Sequence, residues 1–140
     1  LAELEYFRRT DIRVGVGSQK MKLGAWGEQQ ALNFLQSRGY ILLARNVHVG
    51  SLELDLVMQQ QDMVVFVEVK TRTSTDYGTP EEAVSFRKQQ LLQRAAWGFL
   101  EEHQMLQAPW RIDVIAIVAT SAQEVLRLDH YPAAFDVSSI

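Results

Sequence analysis

Apolar residues follow two different rhythms along this chain, and the switches between them mark out its elements. From about Lys22 to Arg38, Leu23, Ala31, Leu32, Phe34 and Leu35 recur three and four apart, as on a helix with one buried face. Gly39 follows where a helix cap belongs. Tyr40 to His48 reads as a strand rich in β-branched and aromatic residues, and Gly50-Ser51 as a turn. Leu52 to Met58 alternates, with Leu52, Leu54 and Leu56 facing one way and Glu53 and Asp55 the other. Gln59 to Asp62 is a polar turn into a strand, Met63 to Lys70, that is apolar on both faces until Glu68.

Thr71 to Thr79 reads as a polar loop. Thr79-Pro80-Glu81-Glu82 then carries the marks of a helix start, with Thr at the cap, Pro at the first position and Glu three residues after the cap. That helix is expected to run to about His103 on Val84, Leu91, Leu92, Ala95, Phe99 and Leu100. Trp110 to Ala119 reads as a buried strand and Glu124 to Leu128 as an edge strand. The order α-β-β-β-α-β-β predicts an α/β fold, a mixed sheet flanked by helices. Residues 1–21 read as a poorly defined extension, in which a short helix over Leu1 to Arg9 and a breaker at Val14-Gly15-Val16-Gly17-Ser18 are expected. Residues 22–140 form one domain.

Composition narrows the chemistry. The 140 residues, 47% hydrophobic, suit one globular core, and no apolar run is long enough to span a bilayer. The chain opens on Leu rather than Met, as if N-terminal residues were missing, and no export leader is apparent. Cys is absent, which excludes disulfides and thiolate zinc sites and fits a cytoplasmic setting. The three His residues show no ligand spacing, so a bound metal would need oxygen ligands, which favours Mg²⁺ or Mn²⁺. The net charge of −3 argues mildly against an electrostatic coat on nucleic acid.

Against that background Asp55, Glu68 and Lys70 stand out. With Gln60 and Gln61 at the turn tip, Asp55 faces Phe66 across the hairpin, and Glu68 and Lys70 share its face. The two carboxylates are then diagonal neighbours with Cβ atoms roughly 7–8 Å apart. Such a pair can share a divalent ion over a phosphodiester, with Lys70 as a compact charge for the attacking hydroxide or the phosphoryl oxygens. Glu68-x-Lys70 alone is equally a surface ion pair; the strand-turn-strand frame around Asp55 makes it specific. Glu28 lies on the inward helical stripe with Leu32 and Leu35, as a metal-site carboxylate or as a capping or salt-bridged Glu. Gly24 and Gly27 beside it allow close helix packing. Lys88 aligns with Leu91, Leu92 and Ala95, where snorkelling to solvent is the plainer account. Arg111 and Asp113 read as a fold-stabilising ion pair, His48 as a solvent-facing edge residue, and the Trp residues as core or rim.

Together, Gly24-x-x-Gly27-Glu28, Gly39-Tyr40, Arg45-Asn46, Glu53-Leu54-Asp55-Leu56-Val57, Val65-Phe66-Val67-Glu68-Val69-Lys70-x-Arg72, Lys88 and Arg111-Ile112-Asp113-Val114 resemble the YraN-like uncharacterised family, from about Lys22 to Ala119. The resemblance implies a restriction-endonuclease-like, PD-(D/E)XK fold, a three-layer sandwich with an α-β-β-β-α-β core, similar to archaeal Holliday junction resolvases. It implies Asp55, Glu68 and Lys70 as the catalytic core, Glu28 as the helix-borne Glu of resolvase-like members, and Lys88 as a basic residue turned toward the site. Leu52 stands where the family usually has Gly, and Leu54 where the motif has Pro. The function expected is a Mg²⁺- or Mn²⁺-dependent nuclease on DNA, branched or single-stranded. Asp55, Glu68 and Glu28 would hold metal, Lys70 would assist the water, and Arg72 and Lys88 would contact nucleic acid, with Tyr77 in the same loop. The alternative is a catalytically silent module on the same fold that binds nucleic acid or protein. Resolvase likeness also implies a homodimer, although no stripe in the chain compels one.

Overall fold

A computed structural model describes residues 22–73 and 84–137. Helix α1 (Leu23–Ser37) leads into three strands, β1 (Ile41–Val49), β2 (Leu52–Gln60) and β3 (Met63–Arg72). Helix α2 (Phe86–Glu102), β4 (Trp110–Ala119) and β5 (Val125–Tyr131) complete the chain. The strands form one sheet in sequence order. Neighbours are antiparallel except β3 and β4, which pair in parallel from Val64–Trp110 to Arg72–Val118. A parallel pair needs a crossover, and α2 lies within it. The expected α/β class and element order are present.

Each helix buries its stripe on a different face of the sheet. On β3 and β4 the faces alternate strictly: Phe66, Ile112 and Val114 pack with Leu92, Ala95, Phe99 and Leu100 of α2. Val65, Val67, Ile115 and Ile117 pack with Trp26, Ala31, Leu32 and Leu35 of α1. Trp26 is thus core and Trp97 a partly exposed rim residue, as expected.

The helix ends follow local chemistry. Gly39 has φ +89°; its N–H bonds to Gln36 O, and Tyr40 N–H to Leu35 O, a Schellman cap that turns α1 into β1. At α2 the structure corrects the expected start. Ser85 is extended (φ −65°, ψ 162°) and its hydroxyl accepts the Lys88 N–H, so α2 is capped at Ser85 and begins at Phe86. Thr79 to Glu82 lie outside the described residues, as do residues 1–21 and Tyr77. Thr71 and Arg72 belong to β3 rather than to a loop, each paired to β4.

The hairpin register is also corrected. Gln60 pairs with Met63 and Val57 with Phe66, so the turn centres on Gln61-Asp62, with Gln61 at φ +55°. No Gly or Asn marks the tip of Gln59-Gln60-Gln61-Asp62, so nothing in the sequence argues against the Gln60-Gln61 tip expected there. The shift is two residues, so the shared face of paired positions survives.

Asp113, fully buried in β4, staples the end of the chain. Its Oδ1 accepts from Arg111 Nε (2.9 Å) and Ala133 N (2.9 Å), and its Oδ2 from Arg111 Nη2 (3.2 Å) and His130 Nε2 (2.8 Å). Arg111 Nη2 also donates to the Tyr40 hydroxyl at 2.9 Å. The ion pair expected of Arg111 and Asp113 is therefore present, with His130 as an added partner. Burial would raise the Asp113 pKa, but the bonds from His130, Arg111 and Ala133 outweigh it and hold it below its ordinary 3.8. Asp113→Ala takes the carboxylate from a half-buried guanidinium and from the Ala133 N–H, and is expected to cost about 3 kcal/mol in denaturant unfolding. Because the folded pKa is depressed, the stability the charge gives is present above the unfolded pKa and is lost as pH falls through the folded one. The gap in stability between parent and Asp113→Asn should be flat above about pH 5 and narrow below pH 4.

Candidate metal and phosphodiester site

The site lies where β2 and β3 part. Their pairing runs from Gln60–Met63 to Leu56–Val67 and no further. Just beyond it Asp55 Oδ2 accepts the Val69 N–H at 2.8 Å, standing in for a strand acceptor. At this point β2 changes face. Leu52 and Leu54 pack on the α2 side and Leu56 and Met58 on the α1 side, so the clean alternation expected over Leu52 to Leu56 does not hold. The change of face and the end of the β2–β3 pairing both fall at Asp55.

Glu68 is 4% exposed. Lys70 Nζ lies 3.5 Å and Lys88 Nζ 3.6 Å from its Oε1, whereas its buried Oε2 has no hydrogen-bond partner among the described residues. Lys88 thus turns to the site from the first turn of α2 rather than to solvent. Asp55 feels the consequence of this crowding. Burial first and the Glu68 charge second push its pKa up to about 8, against the opposing pull of the Val69 N–H and Lys88.

Glu28 enters from α1. Asn46 Nδ2 donates to its Oε1 at 2.7 Å and to Glu53 Oε1 at 2.8 Å. Burial raises the Glu28 pKa, Asn46 opposes that, and the Glu53 and Glu68 charges add to it. Gly27 explains how α1 comes so close. A Cβ there would overlap the Thr71 hydroxyl on β3 and lie 2.9 Å from the Thr71 Cβ. Gly24 faces open space, so close packing rests on Gly27 rather than on both glycines.

Asp55, Glu68, Lys70 and Lys88 therefore come together, and Glu28 approaches them from the other side of the sheet. Arg72 lies two residues past Lys70 at the end of β3, half-buried. His48 is 75% exposed and 3.8 Å from Glu53, an edge residue as expected. Asn46, Glu53 and the Val69 amide escaped sequence reasoning. Arg45-Asn46 was visible as a motif, but nothing in a sequence announces a backbone N–H.

No three of the described His, Asp and Glu side chains make a ready-made metal-binding group. What fits a cation is the pair: an orphaned buried oxygen on Glu68 and a neighbouring Asp55 whose ionisation Glu68 opposes. Two carboxylates suit Mg²⁺, which keeps several of its waters.

Two outcomes test this account. With its pKa raised, folded Asp55 holds a proton that the unfolded chain loses, so stability falls as pH rises from about 4 toward about 8. Asp55→Asn, whose amide oxygen still accepts from Val69, should melt higher than the parent at pH 8, with the gap closing toward pH 4. Gly27→Ala should cost about 1–3 kcal/mol through overpacking against Thr71. Thr71→Ala in the same chain should recover part of that, because it removes the hydroxyl and leaves the Cβ.

No helix among the described residues is long and apolar enough to cross a membrane. The model of the family described as Uncharacterised protein family UPF0102 matches residues 27–117, which span Glu28, Asp55, Glu68, Lys70 and Lys88. The chain is 40% identical over 119 residues to a UPF0102 protein of Syntrophotalea carbinolica, covering 85% of this chain and 95% of that one. It is 38% identical to one of Dictyoglomus turgidum (81% and 97% covered) and 41% identical to one of Roseiflexus castenholzii (84% and 96% covered). These matches run through the same motifs that suggested the family from sequence, and the chain belongs to UPF0102.

Proposed function

We propose that the chain is a Mg²⁺- or Mn²⁺-dependent nuclease that hydrolyses DNA phosphodiesters, branched or single-stranded, on a restriction-endonuclease-like three-layer scaffold. The observation that carries the proposal is the buried Glu68, with one oxygen held by two lysines and the other without a partner among the described residues, beside an Asp55 fixed on the Val69 amide. A carboxylate half-neutralised and half-open is costly as mere structure, since a buried polar atom without a partner loses its hydration for nothing. Perturbed acids of this kind gather at functional sites.

Asp55 and Glu68 would hold the cation, with Glu28 completing the site from α1. Bound there, it would neutralise charge on the phosphoryl oxygens and acidify a water. The chain's own residues divide the remaining work. Val69 N–H orients Asp55, and the low dielectric around Glu68 strengthens every charge in the slot. Lys70, which already neighbours Glu68, supplies a compact positive charge where negative charge grows on the phosphate. Arg72, two residues past Lys70 on β3, and Lys88, in the first turn of α2, suit contacts to backbone phosphates. With its pKa raised by burial and by Glu68, Asp55 holds its proton to higher pH than a free Asp does, so the site carries less charge at rest than its acid count suggests.

One observation favours the alternative of a silent binding module: Lys70 and Lys88 already balance Glu68. The two readings part on metal. The protein, incubated with duplex, single-stranded, flap and four-way-junction DNA, should cut in Mg²⁺ or Mn²⁺ and not in EDTA, and Lys70→Ala should slow cutting by about 10²–10³-fold. Cation binding should release a proton at pH 7 and tighten as pH rises through about 8, because it requires ionised Asp55. Absence of both cutting and cation binding would leave the silent module.

A further inference from the structure

On β1, Asn46 lies between the pairs Arg45–Leu56 and Val47–Leu54, and so stands across from Asp55. Its φ is +51°, in the left-handed region that Asn accepts more readily than most residues. Directly opposite, β2 changes face. A left-handed residue on β1 thus faces the change of face on β2 where the site is built. The Asn46 side chain meets Glu28 Oε1 at 2.7 Å and Glu53 Oε1 at 2.8 Å. Only the nitrogen end of an amide can face two carboxylate oxygens, and its two hydrogens are both used there.

The residue type matters as much as the distances. A Lys or Arg at this position would hold the same two acids while cancelling their charge and competing with a cation. An amide orients both carboxylates and leaves their negative potential intact. We infer that Asn46 is a positioning residue of the cation site: its left-handed backbone aims an amide that clamps Glu28 against Glu53, setting the approach of Glu28 to Asp55 and Glu68. This rests on the cation-site reading given above. Asn46 touches neither Asp55 nor Glu68 by hydrogen bond, and acts through Glu28.

Mn²⁺ binding to the 140-residue chain, followed by the loss of the free-ion electron paramagnetic resonance signal, tests the inference without any cleavage. Asn46→Gly keeps access to positive φ and removes both donors. Asn46→Asp also accepts the left-handed backbone, but adds a negative charge and donates nothing. Melting temperatures measured alongside confirm that each variant is folded at the temperature of the titration. Losses of outer contacts typically cost about 10–100-fold in metal affinity, and Asn46→Gly should weaken Mn²⁺ binding by that much. Asn46→Asp should also bind more weakly than the parent, because the new carboxylate repels Glu28 and Glu53. If affinity followed acid count alone, Asn46→Asp would bind tighter. Parent-like or tighter binding by both variants overturns the role of Asn46 and leaves the cation site standing. A parent that binds no Mn²⁺ overturns both.

Discussion

The Val69 amide, taken by the Asp55 carboxylate at 2.8 Å, is the point on which the arrangement at this end of the sheet turns. A strand that leaves its neighbour exposes a row of donors and acceptors, and a donor left inside the protein needs a partner. Here β3 keeps β4 as far as Arg72–Val118 while it stops pairing with β2 at Leu56–Val67. A slot opens on the β2 side only, and Asp55 closes the hydrogen-bond account at its mouth. Glu68, Lys70 and Arg72 follow on β3 at alternate positions along that slot. Glu68 lies just past the last β2–β3 pair, buried at the start of that slot.

The same sheet contains a carboxylate that shows what a finished structural acid looks like. Asp113 receives four donors on its two oxygens, and its pKa falls despite complete burial. Glu68 is nearly as buried, yet among the described residues it is met on Oε1 alone, and its neighbour Asp55 is driven up to about 8. The two acids lie on β3 and β4, with Val67 paired to Asp113 and Glu68 to Val114. Folding therefore could have satisfied one as it did the other. Stability alone accounts for the Asp113 cluster; it does not account for an orphaned oxygen beside a repelling acid, which is why the cation reading attaches to Glu68 and not to Asp113.

Much of this was legible in the chain. The three- and four-residue spacing around Leu32 and Leu35 gave α1, Gly39 gave its cap, and Trp110 to Ala119 was bounded to the residue. The pairing of Asp55 with the neighbourhood of Glu68 was also accessible, because a two-residue register error preserves the face. Other features were not. The turn at Gln61-Asp62 lacks the Gly or Asn that would locate it, and the change of face at Asp55 interrupts an alternation that looks unbroken in sequence. Helix α2 had a persuasive start at Thr79, while Ser85, an ordinary residue in a polar stretch, caps the described helix through Lys88 N–H. The Asn46 clamp depends on a positive φ, and a single Asn in a strand does not declare one. His130 joins Asp113 from a different strand, a contact that spacing along the chain cannot express.

Glu28 and Lys88 reach the slot from opposite layers of the molecule, and both act on Asp55, one raising its pKa and the other lowering it. Their positions are set by how tightly each helix meets the sheet. Gly27 lets α1 press on Thr71 at the end of β3, and Gly98 lets α2 approach β1, where an added Cβ would lie 2.9 Å from Val49 Cγ1. Interiors packed at crystal density transmit small displacements rather than absorb them. A side chain that pushes either helix off the sheet therefore moves one charge of the site relative to the other without touching an acid or a lysine. The balance at Asp55 is in this sense a property of the three layers together, since the charges that act on it come from β3 and from both helices.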